Sequence, residues 1–168
     1  MPQKYNRAYA FMPATIEDAR TSSELFDIHT QGFQLVTAPT THRAFDDERA
    51  IEGVYYDEVT TLVKNISGAK SVFVFDHTVR RGEAQSRRKP AHHIHNDYTE
   101  QTACSRAEEG LGEVEFAKMK GRRMIQVNVW RPLVDVVRCS PLALCDATSI
   151  NPKDLIRTQI HFPDTERW

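Results

Sequence analysis

The stretch His-His-Ile-His-Asn-Asp-Tyr-Thr, residues 92–99, brings four potential metal ligands together: His92, His93, His95 and Asp97. In an extended segment, side chains two residues apart point to the same side. His95 and Asp97 can therefore take two adjacent positions on one metal ion, as in the facial triad of two histidines and a carboxylate in non-haem iron oxygenases. The alternative is a polar loop, in which His95 caps a turn and Asp97 accepts backbone hydrogen bonds.

Composition limits the classes of protein to which the chain can belong. Its 168 residues fit a single domain, and 22 basic against 23 acidic residues leave no basic surface for nucleic acid. Three cysteines without a Cys-x-x-Cys spacing argue against a disulfide framework and a zinc knuckle. The sequence contains neither an apolar leader nor a run long enough to span a bilayer, so we expect a soluble, cytoplasmic protein without a membrane partner.

Apolar periodicity predicts two helices within a domain that covers residues 1–168. Residues 1–45 read as an N-terminal arm, and residues 46–168 as a helix followed by a partial β-sheet core. The first helix should start at a cap formed by Asp46 or Asp47 and end before Gly68. The second should span residues 102–120, with an interruption near Gly110 and Gly112.

Short β-branched and aromatic runs predict the strands of the core. The segment 124–130 alternates Ile, Val and Val against Gln126, Asn128 and Trp130, which indicates a half-buried strand. Further strands are predicted at 33–36, 71–76, 142–145 and 156–162. The residues alone thus favour an α+β domain with a mainly β core.

Four motifs in a fixed order resemble the fungal and bacterial hydroxylase/desaturase family that includes proteins of cephalosporin methoxylation. They are Val-Phe-Asp-His-Thr-Val-Arg-Arg at 74–81, His-Asn-Asp-Tyr-Thr at 95–99, Asn-Val-Trp-Arg-Pro at 128–132 and Pro-Leu-Ala-Leu-Cys-Asp-Ala at 141–147. Members are regarded as iron(II)- and 2-oxoglutarate-dependent oxygenases. The resemblance implies a double-stranded β-helix, or jelly roll, with flanking helices, and hydroxylation or desaturation of a small-molecule secondary metabolite.

The resemblance also implies roles for particular residues. His95 and Asp97 become two iron(II) ligands, while the family places the third ligand beyond Trp168. From the residues alone, His161 is a candidate for the third ligand, because it lies in a strand-like run and is separated from Asp97 by 63 residues. Members of the family continue past this position, so we expect a short form whose incomplete sheet is covered by a homo-oligomer or a partner chain. The alternatives are a non-catalytic family member or partner subunit, and a metal-assisted isomerase or lyase that reuses the fold.

Three further side chains are candidates for the pocket of such an enzyme. Arg131 follows the polar side of segment 124–130 and could clamp the carboxylate of 2-oxoglutarate, as a catalytic and cofactor-binding residue. An ion pair with Asp135 is its alternative. Asn128 is a second candidate for cofactor binding, and Tyr98, beside the ligand pair, is a candidate for the catalytic pocket wall or for plain packing.

Overall fold

A computed structural model describes residues 13–22, 25–80 and 94–158 of the chain. Its helices are α1 (Glu48–Ala50), a π-helical turn (Ile51–Tyr55), α2 (Tyr56–Ser67), α3 (Glu100–Leu111) and α4 (Glu113–Ala117), followed by two 3₁₀ turns at Ala147–Ser149 and Pro152–Asp154. In these described ranges the remaining backbone forms turns and irregular segments, and no strand is assigned. The jelly roll therefore stays a prediction.

The first predicted helix is confirmed at both ends. The side chain of Asp47 accepts hydrogen bonds from the backbone amides of Arg49 and Ala50, at 3.0 and 3.2 Å, and so satisfies two donors that the first turn leaves unpaired. At the other end Gly68 adopts φ 67°, the left-handed conformation that closes many helices and that glycine adopts without a Cβ clash. The cap residue and the stop residue are both the ones expected from the sequence.

A π turn within this helix changes which of its apolar residues are buried. The backbone amide of Tyr56 donates to the carbonyl of Ile51, five residues back, so one extra residue enters the turn. Ile51 and Val63 are buried at 2% and 6% exposure, whereas Val54, which the apolar periodicity places on the same side, is 54% exposed. The extra residue breaks the 3.6-residue period, and this accounts for the displacement of Val54.

The second predicted helix is also confirmed, and it begins two residues earlier than expected. It is divided into α3 and α4 at Gly112, which has φ 77° and ends α3. Gly110 lies where α3 meets segment 71–80: a Cβ at this position would come within 2.9 Å of the Phe73 ring. The guanidinium of Arg106 stacks over the Phe75 ring with its central carbon 5.1 Å from the ring centroid. Helix α3 thus packs on segment 71–80, which contains all but the last residue of the motif at 74–81.

The described residues of the N-terminal arm contact three regions that are distant in sequence. The backbone amide of Ala147 donates to the carbonyl of Gln31 at 2.9 Å, and Gly32, at φ 83°, lies against the same alanine. Two threonines of the arm bond to Glu58 on α2, and the carbonyl of Ala38 accepts from Arg131. The described part of the arm therefore belongs to the fold, and these contacts are made through hydrogen bonds.

Segments 71–80 and 123–132 position the site residues. Along 71–80 the exposure of side chains alternates with a period close to two, which is typical of extended backbone. In 123–132 the apolar side chains Ile125 and Val129 remain 40% and 38% exposed, so this segment is covered less than the predicted half-buried strand. Its polar side chains make the long-range contacts described next.

Candidate metal site and its surroundings

The capping box of α3 fixes the end of the ligand segment 94–99. The hydroxyl of Thr99 accepts from the backbone amide of Thr102 at 3.2 Å, while the backbone amide of Thr99 donates to the Thr102 hydroxyl at 2.8 Å. This reciprocal pair satisfies backbone donors on both sides of the helix start. Because Asp97 is only two residues before the cap, the helix start limits where its carboxylate can lie.

His95 and Asp97 lie together, as their spacing predicts. Their Nε2 and Oδ1 atoms are 3.3 Å apart, and their side chains are 44% and 48% exposed. Two donors in adjacent octahedral positions are about 3.0 Å apart when each metal bond is about 2.1 Å long. The donor types and the observed separation thus fit an iron(II) ion with little rearrangement. The side chains are also open to the solvent from which an ion would arrive.

Asn128 contacts the same carboxylate from a segment 31 residues further along the chain. Its side-chain nitrogen donates to Oδ2 of Asp97 at 3.0 Å, while Oδ1 of Asp97 is the oxygen that faces His95. Two residues earlier, the side chain of Gln126 donates to the backbone carbonyl of Ala103 on α3 at 3.5 Å. Segment 126–128 therefore contacts both the ligand segment and the helix that follows it.

Arg131 makes its contacts in a different part of the structure. Its Nε donates to the Tyr55 hydroxyl at 2.8 Å and its Nη1 to the carbonyl of Ala38 at 2.7 Å, and its guanidinium stacks on the Tyr55 ring. The described residues show no ion pair between Arg131 and Asp135. These bonds connect segment 123–132 to the π turn and to the N-terminal arm. Its predicted part in cofactor binding stays a prediction.

An open groove of about 530 Å³ runs beside Arg131, between the arm and α2. Neither His95 nor Asp97 is among the described residues that line it. Two threonines hold Glu58 at its edge: the hydroxyl of Thr40 donates to Oε2 and that of Thr41 donates to Oε1 at 2.9 Å. The pKa of Glu58 is lowered, chiefly by the hydrogen bond from Thr40 and further by the bonds from Thr41 and the charge of Arg131. Desolvation opposes this shift. Glu58 therefore stays ionised in this groove.

An aromatic cluster that no sequence pattern indicates lies beside Arg131. His42 is 6% exposed and packs edge-on against Phe45, and both rings contact Tyr55. Next to it, the Tyr56 hydroxyl lies 2.8 Å from Nδ1 of His77, and burial, followed by the charge of Glu52, raises the pKa of this tyrosine. Tyr55 belongs to the apolar periodicity of the first helix, so its partial burial could be expected. No pattern in the sequence predicts that His42 is buried.

Two other residues, Tyr98 and His161, were candidates for the site. Tyr98 is 38% exposed beside the ligand pair, and His161 lies outside the described residues. Within the part of the chain that is described, no group of three or more His, Cys, Asp or Glu side chains could hold a metal ion. His95 and Asp97 are thus two candidate ligands, and a candidate for the third is not located there. All three cysteines lie among the described residues and are free thiols there.

Comparison with known proteins places the chain in a family. A family model described as an oxidoreductase/YMDC permease-like domain matches residues 2–168. An oxidoreductase of Emericella nidulans is 34% identical over 152 residues, which cover 84% of this chain and 51% of the relative. A hydroxylase/desaturase of Hormonema carpetanum is 30% identical over 92% of this chain and 57% of its own length. An Fe(II)/2-oxoglutarate-dependent dioxygenase of Aspergillus novofumigatus is 30% identical over 90% and 62%.

The chain belongs to this oxidoreductase/YMDC permease-like family. The resemblance seen in the four motifs is confirmed, because the matched relatives include proteins named hydroxylase/desaturase and dioxygenase. The chain spans about half to three fifths of the length of these relatives. No solved structure matches it significantly. Among the described residues, no helix is both long and apolar enough to cross a bilayer.

Proposed function

We propose that this protein is part or all of an iron(II)- and 2-oxoglutarate-dependent oxygenase that hydroxylates or desaturates a small-molecule secondary metabolite. The observation that carries the proposal is the 3.3 Å approach of His95 Nε2 to Asp97 Oδ1 within a family motif. The names of two relatives, an Fe(II)/2-oxoglutarate-dependent dioxygenase and an alpha-ketoglutarate-dependent dioxygenase of Talaromyces stipitatus, support the cofactor pair. A jelly-roll core is part of the same proposal.

The described residues would hold iron(II) through an imidazole and a carboxylate. His95 offers an imidazole nitrogen and Asp97 a carboxylate oxygen, a pairing that suits a divalent transition metal. The third ligand comes from outside the described residues, and His161 is the candidate within this sequence. The metal with 2-oxoglutarate and dioxygen would supply the oxidising power. The chain's own residues orient the two donors and leave one side of the pair open to solvent.

Turnover of 2-oxoglutarate tests the proposal. The protein is incubated in air with iron(II), ascorbate, 2-oxoglutarate and an extract of candidate metabolites, and succinate is measured against a sample without iron. We expect iron-dependent succinate formation that is lost in His95→Ala, because the substitution removes one of two donors. The matched control is His29→Ala, since His29 is an exposed histidine of the arm. Succinate formation that is equal in wild type and His95→Ala would refute the assignment.

Two outcomes would favour the alternatives. Metal binding without any succinate formation would support a non-catalytic family member or partner subunit. A changed metabolite that forms equally well without dioxygen would support a metal-assisted isomerase or lyase, because an oxygenase consumes dioxygen in each turnover. Product analysis in anaerobic and aerobic samples separates these two results.

A further inference from the structure

Asp97 has two oxygens, and the structure gives them different partners. Oδ1 lies 3.3 Å from Nε2 of His95, and Oδ2 accepts a hydrogen bond of 3.0 Å from the Asn128 side chain. A carboxylate can bind a metal through one oxygen or through both. The oxygen that is already hydrogen-bonded is the less available of the two. The hydrogen bond from Asn128 thus leaves Oδ1 as the oxygen that is more available to a metal.

We infer that Asn128 is a positioning residue that holds Asp97 to metal binding through Oδ1 alone; this inference rests on the proposed metal site. An ionised carboxylate only accepts hydrogen bonds, so the Asn128 amide must present its nitrogen to Asp97. That orientation places a donor on Oδ2 and keeps Oδ1 beside His95. One-oxygen binding uses one coordination position, and so it leaves more positions for 2-oxoglutarate and dioxygen.

This role differs from direct contact with the cofactor, which the sequence suggested for Asn128. Hydrogen-bond partners of metal ligands are known to orient them, and their removal commonly lowers metal affinity about 10- to 100-fold. The arrangement is also supported from both sides. The α3 cap restrains Asp97 through Thr99, and the Gln126 bond to Ala103 ties the segment of Asn128 to the same helix. The donor and its acceptor are therefore both anchored to α3.

The test uses Co²⁺ as a spectroscopic probe on the whole chain, without 2-oxoglutarate. Asn128→Leu keeps the approximate shape of the side chain and removes the donor. Asn65→Leu is the matched control, because it makes the same change at an exposed asparagine of α2, away from the site. We expect the Co²⁺ dissociation constant to rise about 10-fold or more in Asn128→Leu and to stay within about 2-fold in Asn65→Leu. His95→Ala should abolish site binding.

The visible absorption of bound Co²⁺ provides a readout that simple loss of stability would not change. When the second oxygen of Asp97 is also free to bind, it replaces a water on the ion, and the visible absorption of the saturated Asn128→Leu protein differs from that of the wild type. Asn128→Gln restores an amide donor on a longer side chain and should recover part of the affinity. Circular dichroism of each variant verifies that the helices have formed before the metal is added.

The outcomes separate this inference from the proposed function. An Asn128→Leu protein with wild-type affinity and spectrum, alongside a His95→Ala protein that has lost binding, would overturn the role of Asn128 and leave the metal site standing. If Asn128→Leu binds the metal with wild-type affinity but has a raised KM for 2-oxoglutarate in the succinate assay, Asn128 is assigned to the cofactor instead. A wild-type protein that binds no Co²⁺ would overturn the proposed site, and the inference with it.

Discussion

Replacing Arg131 by methionine should destabilise the fold, and a double-mutant cycle with Tyr55 measures why. Methionine keeps an apolar stem but removes the guanidinium that bonds the Tyr55 hydroxyl and the Ala38 carbonyl. Each hydrogen bond to a charged group contributes about 1.5–3 kcal/mol when buried, and the partial exposure of Arg131 reduces this to about 1 kcal/mol for each of its two bonds. The contact with the Tyr55 ring adds about 0.5–1 kcal/mol. We expect a loss of about 2–3 kcal/mol.

The cycle isolates one bond from this total. Tyr55→Phe removes the hydroxyl alone and should cost about 1 kcal/mol by itself. In the double variant the hydroxyl has already lost its charged donor, so the second substitution should add little, and the coupling energy should be about 1 kcal/mol. Urea unfolding followed by circular dichroism gives each free energy, with the midpoint of Arg131→Met lowered by about 1 M or more.

The neighbouring tyrosine provides the control for this cycle. The Tyr56 hydroxyl bonds His77, so Tyr56→Phe should combine additively with Arg131→Met. Additive free energies for Tyr55→Phe as well would refute the proposed bond between Tyr55 and Arg131. An Arg131→Met protein with unchanged stability, but with impaired use of 2-oxoglutarate, would show that the guanidinium serves the cofactor and not the fold.

Three further substitutions test local features of the structure. Gly68→Ala should destabilise by about 1–2 kcal/mol in thermal unfolding because φ is 67°, whereas Gly53→Ala, with open space around it and no positive φ, should be neutral or stabilising. The folded state lowers the pKa of Glu58, so this residue stabilises the fold above its unfolded pKa of about 4.3, and the contribution is lost as the pH falls through the folded pKa. Glu58→Gln should therefore reduce the loss of unfolding free energy at acid pH, measured by urea unfolding at several pH values. The control Asp57→Asn should reduce it less. Thr99→Ala should cost about 1 kcal/mol and speed amide hydrogen exchange in the first turn of α3, and unchanged exchange there would contradict the capping box.

Both helices could be predicted from the sequence because their signals are local. Asp47 and Gly68 bracket an apolar periodicity, and each acts on backbone groups within four residues of itself. The interruption at Gly112 has the same local origin. The π turn could not be predicted, because the insertion of one residue follows from how the helix packs and leaves no composition signal.

The proximity of His95 and Asp97 was predictable for a similar reason, whereas their surroundings were not. His95 and Asp97 are two residues apart, so extended geometry alone brings them together. The bond from Asn128 joins residues 31 apart, and the bonds from Arg131 join residues 76 and 93 apart. Contacts over such separations depend on the tertiary fold. The sequence showed that these side chains were polar and on one segment, but not which partner each would find.

Binding of iron(II) under anaerobic conditions tests the central claim most directly. Isothermal titration compares the wild-type chain with His95→Ala and Asp97→Ala, with His29→Ala as the control for loss of an exposed histidine. We predict a single iron site in the wild type and in the control, and its loss in both variants of the pair, since each removes one of two adjacent donors. A wild-type chain that binds no iron, or variants that bind it as tightly as the wild type, would contradict the assignment of His95 and Asp97.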